Sequence, residues 1–120
     1  MGEALIIDRI GWCRESARHR YVGSLWGSSD GIRLVGRDAE HGIEVSLTVP
    51  LGEIDRACLE LTRSEAARGE SCLVLTLAES SPLLVWEIGA HDTTLRDVVE
   101  RIAELRRGAV GPLAMACHEQ

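Results

Sequence analysis

Three arginines close together near the start of the chain are the clearest candidate binding site in the sequence. Arg14, Arg18 and Arg20 follow a predicted first strand, and a guanidinium group binds phosphate or carboxylate through paired N–H donors. The chemistry that this spacing allows is recognition of an anion. The alternative is a solvated hairpin loop with ordinary surface arginines. Attraction to an anionic membrane contributes about 1 kcal/mol per basic residue, so three arginines alone do not anchor a protein stably.

The other reactive residue types form no catalytic or metal-binding motif. No two histidines have H-x-x-x-H spacing, and the one G-x-S-x-G sequence, residues 27–31, falls in a predicted hairpin turn and not between a strand and a helix. The chain has no lysine, which excludes a Schiff base and a P-loop. We therefore predict no catalytic residue, no metal site and no cofactor, and we expect that the protein is not an enzyme. The histidines, which fall in predicted loops, turns or the tail, are His19, His41, His91 and His118.

The cysteines and two acidic turn residues are interpreted as structural. The four cysteines are Cys13, Cys58, Cys72 and Cys117. They contain no C-x-x-C pair, and an even number of cysteines in a cytoplasmic chain does not indicate disulfides. Cys58 and Cys72 fall in strand-like runs and are expected to be small core residues. Asp30 and Asp38 fall in predicted turns, where we expect solvated carboxylates.

Two tryptophans receive different predictions. Trp86 alternates with Leu84 and Ile88 in a strand-like run, a pattern that is typical of a core position. Trp12 flanks the loop that carries the arginines, where we expect it to be exposed. An exposed tryptophan beside arginines is a frequent anchor of protein interfaces, so Trp12 is the candidate interface residue.

Composition and charge limit the functional classes. A chain of 120 residues with 45% hydrophobic residues is expected to fold as one globular domain. Its net charge of −6 is uneven, because residues 1–37 carry six arginines against four acidic residues, whereas the remainder carries seven against 15. The acidic remainder argues against nucleic-acid binding. The locally basic start of the chain leaves room for one anionic ligand.

The predicted location is the cytoplasm. No apolar run approaches the length of about 18 residues needed to cross a membrane. The N-terminal residues lack the basic region and the long apolar stretch of a signal peptide. Lys, Asn and Phe are all absent from the chain. Since their codons are AT-rich, we expect a GC-rich bacterial genome.

The order of predicted elements is seven short strands followed by one helix. This order predicts a mainly β fold with a C-terminal α-helix, because no helical pattern separates the early strands. In the helix, an apolar stripe runs from Leu95 to Leu105 at helical spacing, and Thr94 and Asp97 have the spacing of a capping box. Gly108 is the predicted C-terminal end. The strand-like runs are residues 4–10, 20–27, 32–37, 43–49, 55–62, 72–78 and 83–88.

Two segments resemble conserved motifs of the pleckstrin-homology-like superfold, including its bacterial and GRAM-type members. Residues 25–34 are similar to its L-x-x-T-x-x-G-L-x-F hairpin, and residues 49–57 to its I-P-L-x-x-I-x-x-V strand. The resemblance covers residues 3–107 and leaves residues 108–120 as a C-terminal tail. It implies a seven-stranded barrel or sandwich of two near-orthogonal sheets, capped by the helix.

The same resemblance bears on the arginines. Well-known members of the superfold bind phosphoinositide headgroups through a basic β1–β2 loop of pattern K-x(n)-(K/R)-x-R. Arg18 and Arg20 match the second half of this pattern, and Arg14 lies near the position of its lysine. The chain departs from the pattern because it has no lysine and because Glu15 intrudes.

We therefore expect a non-enzymatic binding or interaction module that acts through protein–protein contacts, with a protein partner or self-association. Open sheet edges and the groove between helix and sheet are the expected contact surfaces. The alternative is an anionic-ligand domain, for phosphate or a lipid headgroup, that uses Arg14, Arg18 and Arg20. An enzyme with its site in a barrel mouth is a third hypothesis, and it rests on fold analogy alone.

Overall fold

The structure, a computed structural model, describes residues 2–17, 19–38, 40–61, 71–89 and 92–113. Seven antiparallel strands form one sheet in the order β4-β3-β2-β1-β7-β6-β5, and a single helix follows them. The predicted mainly β fold with a C-terminal helix is confirmed. The sheet is not closed into a barrel, because β4 and β5 are its two edges. The elements are β1 (Ala4–Arg14), β2 (Tyr21–Gly27), β3 (Gly31–Asp38), β4 (Glu44–Pro50), a 3₁₀ helix (Leu51–Glu53), β5 (Ile54–Leu61), β6 (Ser71–Leu77), β7 (Leu83–Glu87) and α1 (Leu95–Ala109).

The first strand is longer than the sequence indicated, and it joins two halves of the sheet, β2–β4 on one side and β5–β7 on the other. We expected β1 to end at Ile10, but it continues to Arg14 and pairs with β2 on one side and β7 on the other. Its register with β2 shifts twice before Ile10, and Arg9 has a φ of 51°. Such bulges bend a strand, which allows β1 to pair with both β2 and β7.

One continuous core contains side chains from all seven strands, the 3₁₀ helix and α1. The predicted apolar stripe of α1 is buried in it, with Val98 and Ile102 fully covered. Leu25 and Leu34, a cross-strand pair of β2 and β3, are also fully covered. Burial of apolar surface drives the docking of the helix on the sheet, so the helix and the strands form a single packed unit.

Helix α1 begins as predicted and ends slightly later. Thr94 accepts a hydrogen bond from the backbone N–H of Asp97, and the Asp97 carboxylate accepts one from the N–H of Thr94, so the capping box is present. The end expected at Gly108 is wrong, because the helix reaches Ala109 and the glycine with positive φ that follows it is Gly111. None of the described helices is long and apolar enough to span a membrane.

A smaller apolar cluster lies on the other face of the β1–β7–β6 region. It consists of Cys13, Cys72, Leu84 and Trp86, with Val74 packed against them. Trp86 is buried, as predicted, and its indole ring lies so close to Gly11 that a β-carbon there would overlap it. Glycine at this position of β1 therefore makes room for the tryptophan.

Candidate functional site

Three loops meet where β1 ends, opposite the helix. The backbone N–H of Glu15, after β1, donates to the carbonyl of Pro82, before β7, at 2.8 Å. The hydroxyls of Ser16 and Ser81 are 3.0 Å apart. Helix α1 lies at the other end of the β1–β2 hairpin, with Leu105 next to Gly27. We call the described residues 14–17, 19–20, 38, 40–43 and 78–82 the loop end.

Two of the three predicted anion-binding arginines lie at the loop end. Arg14 is half-buried at the last position of β1, and Arg20 is exposed just before β2. Arg18 lies outside the described residues, so its place in the site stays a prediction. Within the described part of the chain, neither Arg14 nor Arg20 forms an ion pair with a carboxylate, whereas Arg33 and Arg37 do.

The loop end also brings together two histidines and an aspartate that the sequence did not connect. Nδ1 of His19 lies 3.2 Å from Oδ2 of Asp38, and Nδ1 of His41 lies 3.4 Å from the same oxygen. The register of β2 with β3 pairs Tyr21 with Asp38, which places the residues just outside that pair beside each other. The hairpin pairing was the one signal from which this cluster could have been predicted.

Asp38 is buried, which corrects the expectation of a solvated turn residue. Its exposed fraction is 6% because it is the last residue of β3 and its side chain turns back over the following loop. Its Oδ1 accepts a hydrogen bond from the N–H of Glu40 at 2.8 Å, and its carbonyl accepts one from Gly42, which has a φ of 69°. The N–H of Glu40 and the ring of His41 hold the pKa of Asp38 below its ordinary value.

The predicted exposure of Trp12 is wrong. Trp12 lies within β1, pairs with Val85 of β7 and is 1% exposed. Its indole N–H donates to the carbonyl of Val35 at 3.0 Å, and its ring packs on Tyr21 with centroids 4.7 Å apart. The extension of β1 into the presumed loop turned this position into the core, so Trp12 offers no exposed anchor.

The cysteines behave differently from one another. Burial raises the pKa of Cys13 and raises that of Cys72 to about 11, so both remain thiols at neutral pH and are poor nucleophiles. Cys72 is a small core residue, as predicted. Cys58 is also buried, as predicted, and it is disulfide-bonded, which the spacing of the cysteines along the chain did not indicate.

Strand β4 lies at an edge of the sheet next to the loop end, and no described strand pairs with its outer side. It pairs with β3 over seven consecutive residues without a register shift, unlike the β1–β2 and β5–β6 ladders. The N–H of Asp38 donates to the carbonyl of Ile43, which directs the backbone groups of Ile43 towards β3. Because these groups alternate along a strand, those of Glu44, Ser46 and Thr48 face away from β3.

The surface beside this edge is amphipathic. A shallow depression with a volume of about 470 Å³ lies across β2, β3 and β4, and Val22, Val35 and Arg37 are among the side chains that line it. Val22 is 48% exposed and Ile43, just before β4, is 61% exposed. An extended peptide with alternating apolar and polar side chains suits such a surface.

Comparison with known proteins supports the fold alone and identifies no function. No protein-family model matches the sequence, and no curated protein matches it. Among solved structures, the hSac2 domain from the human phosphoinositide phosphatase Sac2 has a TM-score of 0.69 and 14% identity, over all of this chain and 77% of that one. The Spt16D–Pob3N heterodimer has a TM-score of 0.52 and 14% identity, over all of this chain and 57% of the other. The seven-stranded sheet with one C-terminal helix thus fits a pleckstrin-homology-like fold.

Proposed function

We propose that this chain is a non-enzymatic interaction module that binds an extended segment of a partner protein along the outer edge of β4. The observation that carries the proposal is the outward direction of the backbone groups of Glu44, Ser46 and Thr48 in a strand with an unbroken register. An added strand would satisfy these groups and place alternate side chains on the depression beside them.

The lack of protection at this edge favours a partner. Natural edge strands are usually guarded by lysines, inward charges, bulges or prolines in mid-strand. β4 has no bulge, and its one proline, Pro50, is its last residue. The side chains of Glu44, Ser46 and Thr48 are exposed, and no described strand pairs with the outer side of β4. One structural neighbour, Spt16D–Pob3N, is a heterodimer, which is compatible with a role in protein association.

The experiment compares capture of partners by three forms of the chain. Ser46→Pro removes an outward N–H without touching the bonds to β3, whereas Ser46→Ala keeps that N–H and serves as the matched control. We expect a partner that is captured by the wild type and by Ser46→Ala but not by Ser46→Pro. Equal capture by Ser46→Pro, or no partner captured by any form, would contradict the proposal.

A second candidate function is binding of an anionic ligand at the loop end. The observation that favours it is that Arg14 and Arg20 have no carboxylate partner within the described part of the chain. Guanidinium groups without an internal partner are available to phosphate. One structural neighbour is a domain of a phosphoinositide phosphatase, so a phosphorylated lipid headgroup is the first ligand to test.

The probes are phosphatidylcholine vesicles with and without a phosphorylated phosphatidylinositol, together with free inorganic phosphate. We expect binding to the phosphorylated vesicles that is lost in Arg20→Glu and retained in Arg107→Glu, a control at an exposed position at the end of α1. Binding of free phosphate alone would identify a small anion as the ligand. Absence of binding to every probe, or equal binding by Arg20→Glu, would remove this candidate.

A further inference from the structure

One carboxylate and two imidazoles at the loop end have the composition and spacing of a metal site. The ligand atoms that His19, Asp38 and His41 offer all lie within 4.8 Å of one another. We propose that these three residues bind a divalent first-row transition metal ion, with Zn²⁺ as the leading member of that class. The site is separate from the β4 edge and does not depend on the proposed partner.

The distances fit a metal ion between the three side chains. Zinc binds imidazole nitrogen and carboxylate oxygen at about 2.0–2.1 Å in tetrahedral geometry, which places neighbouring ligand atoms about 3.3 Å apart. Oδ2 of Asp38 lies 3.2 Å from Nδ1 of His19 and 3.4 Å from Nδ1 of His41. Two edges of a coordination tetrahedron are therefore already formed, and both histidines offer the same ring atom.

The burial and the charge of Asp38 also favour metal binding. Asp38 is the one buried charged side chain in the described part of the chain, and no arginine there pairs with it. Buried charges in proteins are paired or bind metal ions. The hydrogen bond from the N–H of Glu40 to Oδ1 fixes the carboxylate and leaves Oδ2 for the ion. Carboxylates that bind metal ions are typically held by such hydrogen bonds.

The outer side of the cluster is open to solvent. The side chains of His19 and His41 are 54% and 56% exposed, and their ring centroids are 6.2 Å apart. An ion can therefore enter without unfolding of the strands. Three protein ligands leave at least one coordination position for water or for a donor atom of another molecule. Imidazole and carboxylate together suit Zn²⁺, Co²⁺ and Ni²⁺ better than Mg²⁺ or Ca²⁺.

The test uses the full chain without an affinity tag and titrates it with Zn²⁺ at neutral pH by calorimetry. Visible absorption of Co²⁺ provides a second readout, because the intensity of its bands reports a four-coordinate environment. We expect one ion per chain. His19→Ala and His41→Ala should each weaken binding roughly tenfold or more, since even residues that merely support metal ligands contribute about ten- to hundredfold.

Two further variants keep the test independent of folding defects. Both histidines are exposed, so their alanine variants should still fold cooperatively, whereas Asp38→Asn tests the buried ligand. Asp30→Asn changes an exposed carboxylate at the opposite end of β2 and β3 and should bind Zn²⁺ like the wild type. Absence of Zn²⁺ binding, or binding that survives either histidine substitution unweakened, would overturn the proposal.

Discussion

The indole N–H of Trp12 donates a hydrogen bond to the backbone carbonyl of Val35, 3.0 Å away, and so connects β1 to β3 across β2. The ring that makes this bond is 1% exposed and packs on Tyr21. A single side chain therefore combines a long-range polar contact with burial in the core, close to the loop end. We expect the packing that holds the three loops together to be sensitive to this residue.

Replacement of Trp12 tests that relationship. Trp12→Phe removes the indole donor and leaves a void, and we expect a loss of about 1–3 kcal/mol of unfolding free energy. The matched control is Trp26→Phe, because Trp26 is only half-buried and its N–H bonds the nearby hydroxyl of Ser24. Urea denaturation of both variants gives the comparison. Equal losses in the two variants would contradict the role assigned to Trp12.

The contact between Gly11 and Trp86 gives a second stability test. A β-carbon at Gly11 would overlap the indole ring of Trp86, and we expect Gly11→Ala to lower the unfolding free energy by about 1–3 kcal/mol. Gly52→Ala is the control, because its added carbon has no neighbour closer than 3.7 Å.

A double mutant separates overlap from other effects. In the background Trp86→Leu, the smaller side chain should leave room for the added methyl group, so Gly11→Ala should have a much smaller effect there. If Gly11→Ala has the same effect in both backgrounds, the overlap with Trp86 is not its cause.

The capping box of α1 predicts a local effect on the helix. Thr94→Ala removes the hydroxyl that accepts from the N–H of Asp97, and we expect a loss of about 1 kcal/mol. Thr94→Ser keeps a hydroxyl in the same place and should recover most of the stability. Thermal unfolding followed by circular dichroism measures both variants. A Thr94→Ser variant as unstable as Thr94→Ala would show that the hydroxyl is not the stabilising group.

The Asp97 carboxylate of the same capping box predicts that the stability of the fold depends on pH. The N–H and hydroxyl of Thr94 lower the pKa of Asp97 below its ordinary value of 3.8. A carboxyl group whose pKa is lower in the folded state stabilises the fold fully above its unfolded pKa, and this contribution is lost as the pH falls through the folded pKa. Asp97→Asn should therefore lower the melting temperature at neutral pH and lose that effect well below pH 3.8.

A control variant makes the pH effect specific to the box. Asp30→Asn alters an exposed turn carboxylate outside the helix and should leave the melting temperature unchanged at neutral pH. A difference between wild type and Asp97→Asn that stays constant from neutral to acid pH would contradict the assignment, because it would not follow the ionisation of Asp97.

The sequence was sufficient for those parts of the fold that depend on local patterns. The capping residues Thr94 and Asp97 and the apolar stripe between them and Leu105 lie within a few turns of one helix, so their spacing alone predicts it. The length of β1 could not be predicted in this way. The run from Gly11 to Arg14 contains a glycine and an arginine and resembles a loop, and only its pairing with β2 and β7 makes it a strand.

The candidate sites depend on contacts that are distant along the chain. His19 and His41 are brought together by the pairing of Tyr21 with Asp38, a register that hydrophobic alternation does not specify. The burial of Asp38 follows from the same register. The exposure of Trp12 was wrongly predicted for a related reason, because the predicted first strand ended at Ile10, before Trp12. Prediction of where single residues lie thus required knowledge of the strand pairing, whereas prediction of the number and order of the elements did not.

The most direct test of the central claim is amide hydrogen exchange of β4, measured for the free chain and with its captured partner. We predict that the amides of Ser46 and Thr48 exchange rapidly in the free chain, while those of Val45 and Leu47 are protected by β3. Addition of the partner should protect Ser46 and Thr48. Protection of these two amides in the free chain, or rapid exchange that persists in the complex, would contradict binding along the β4 edge.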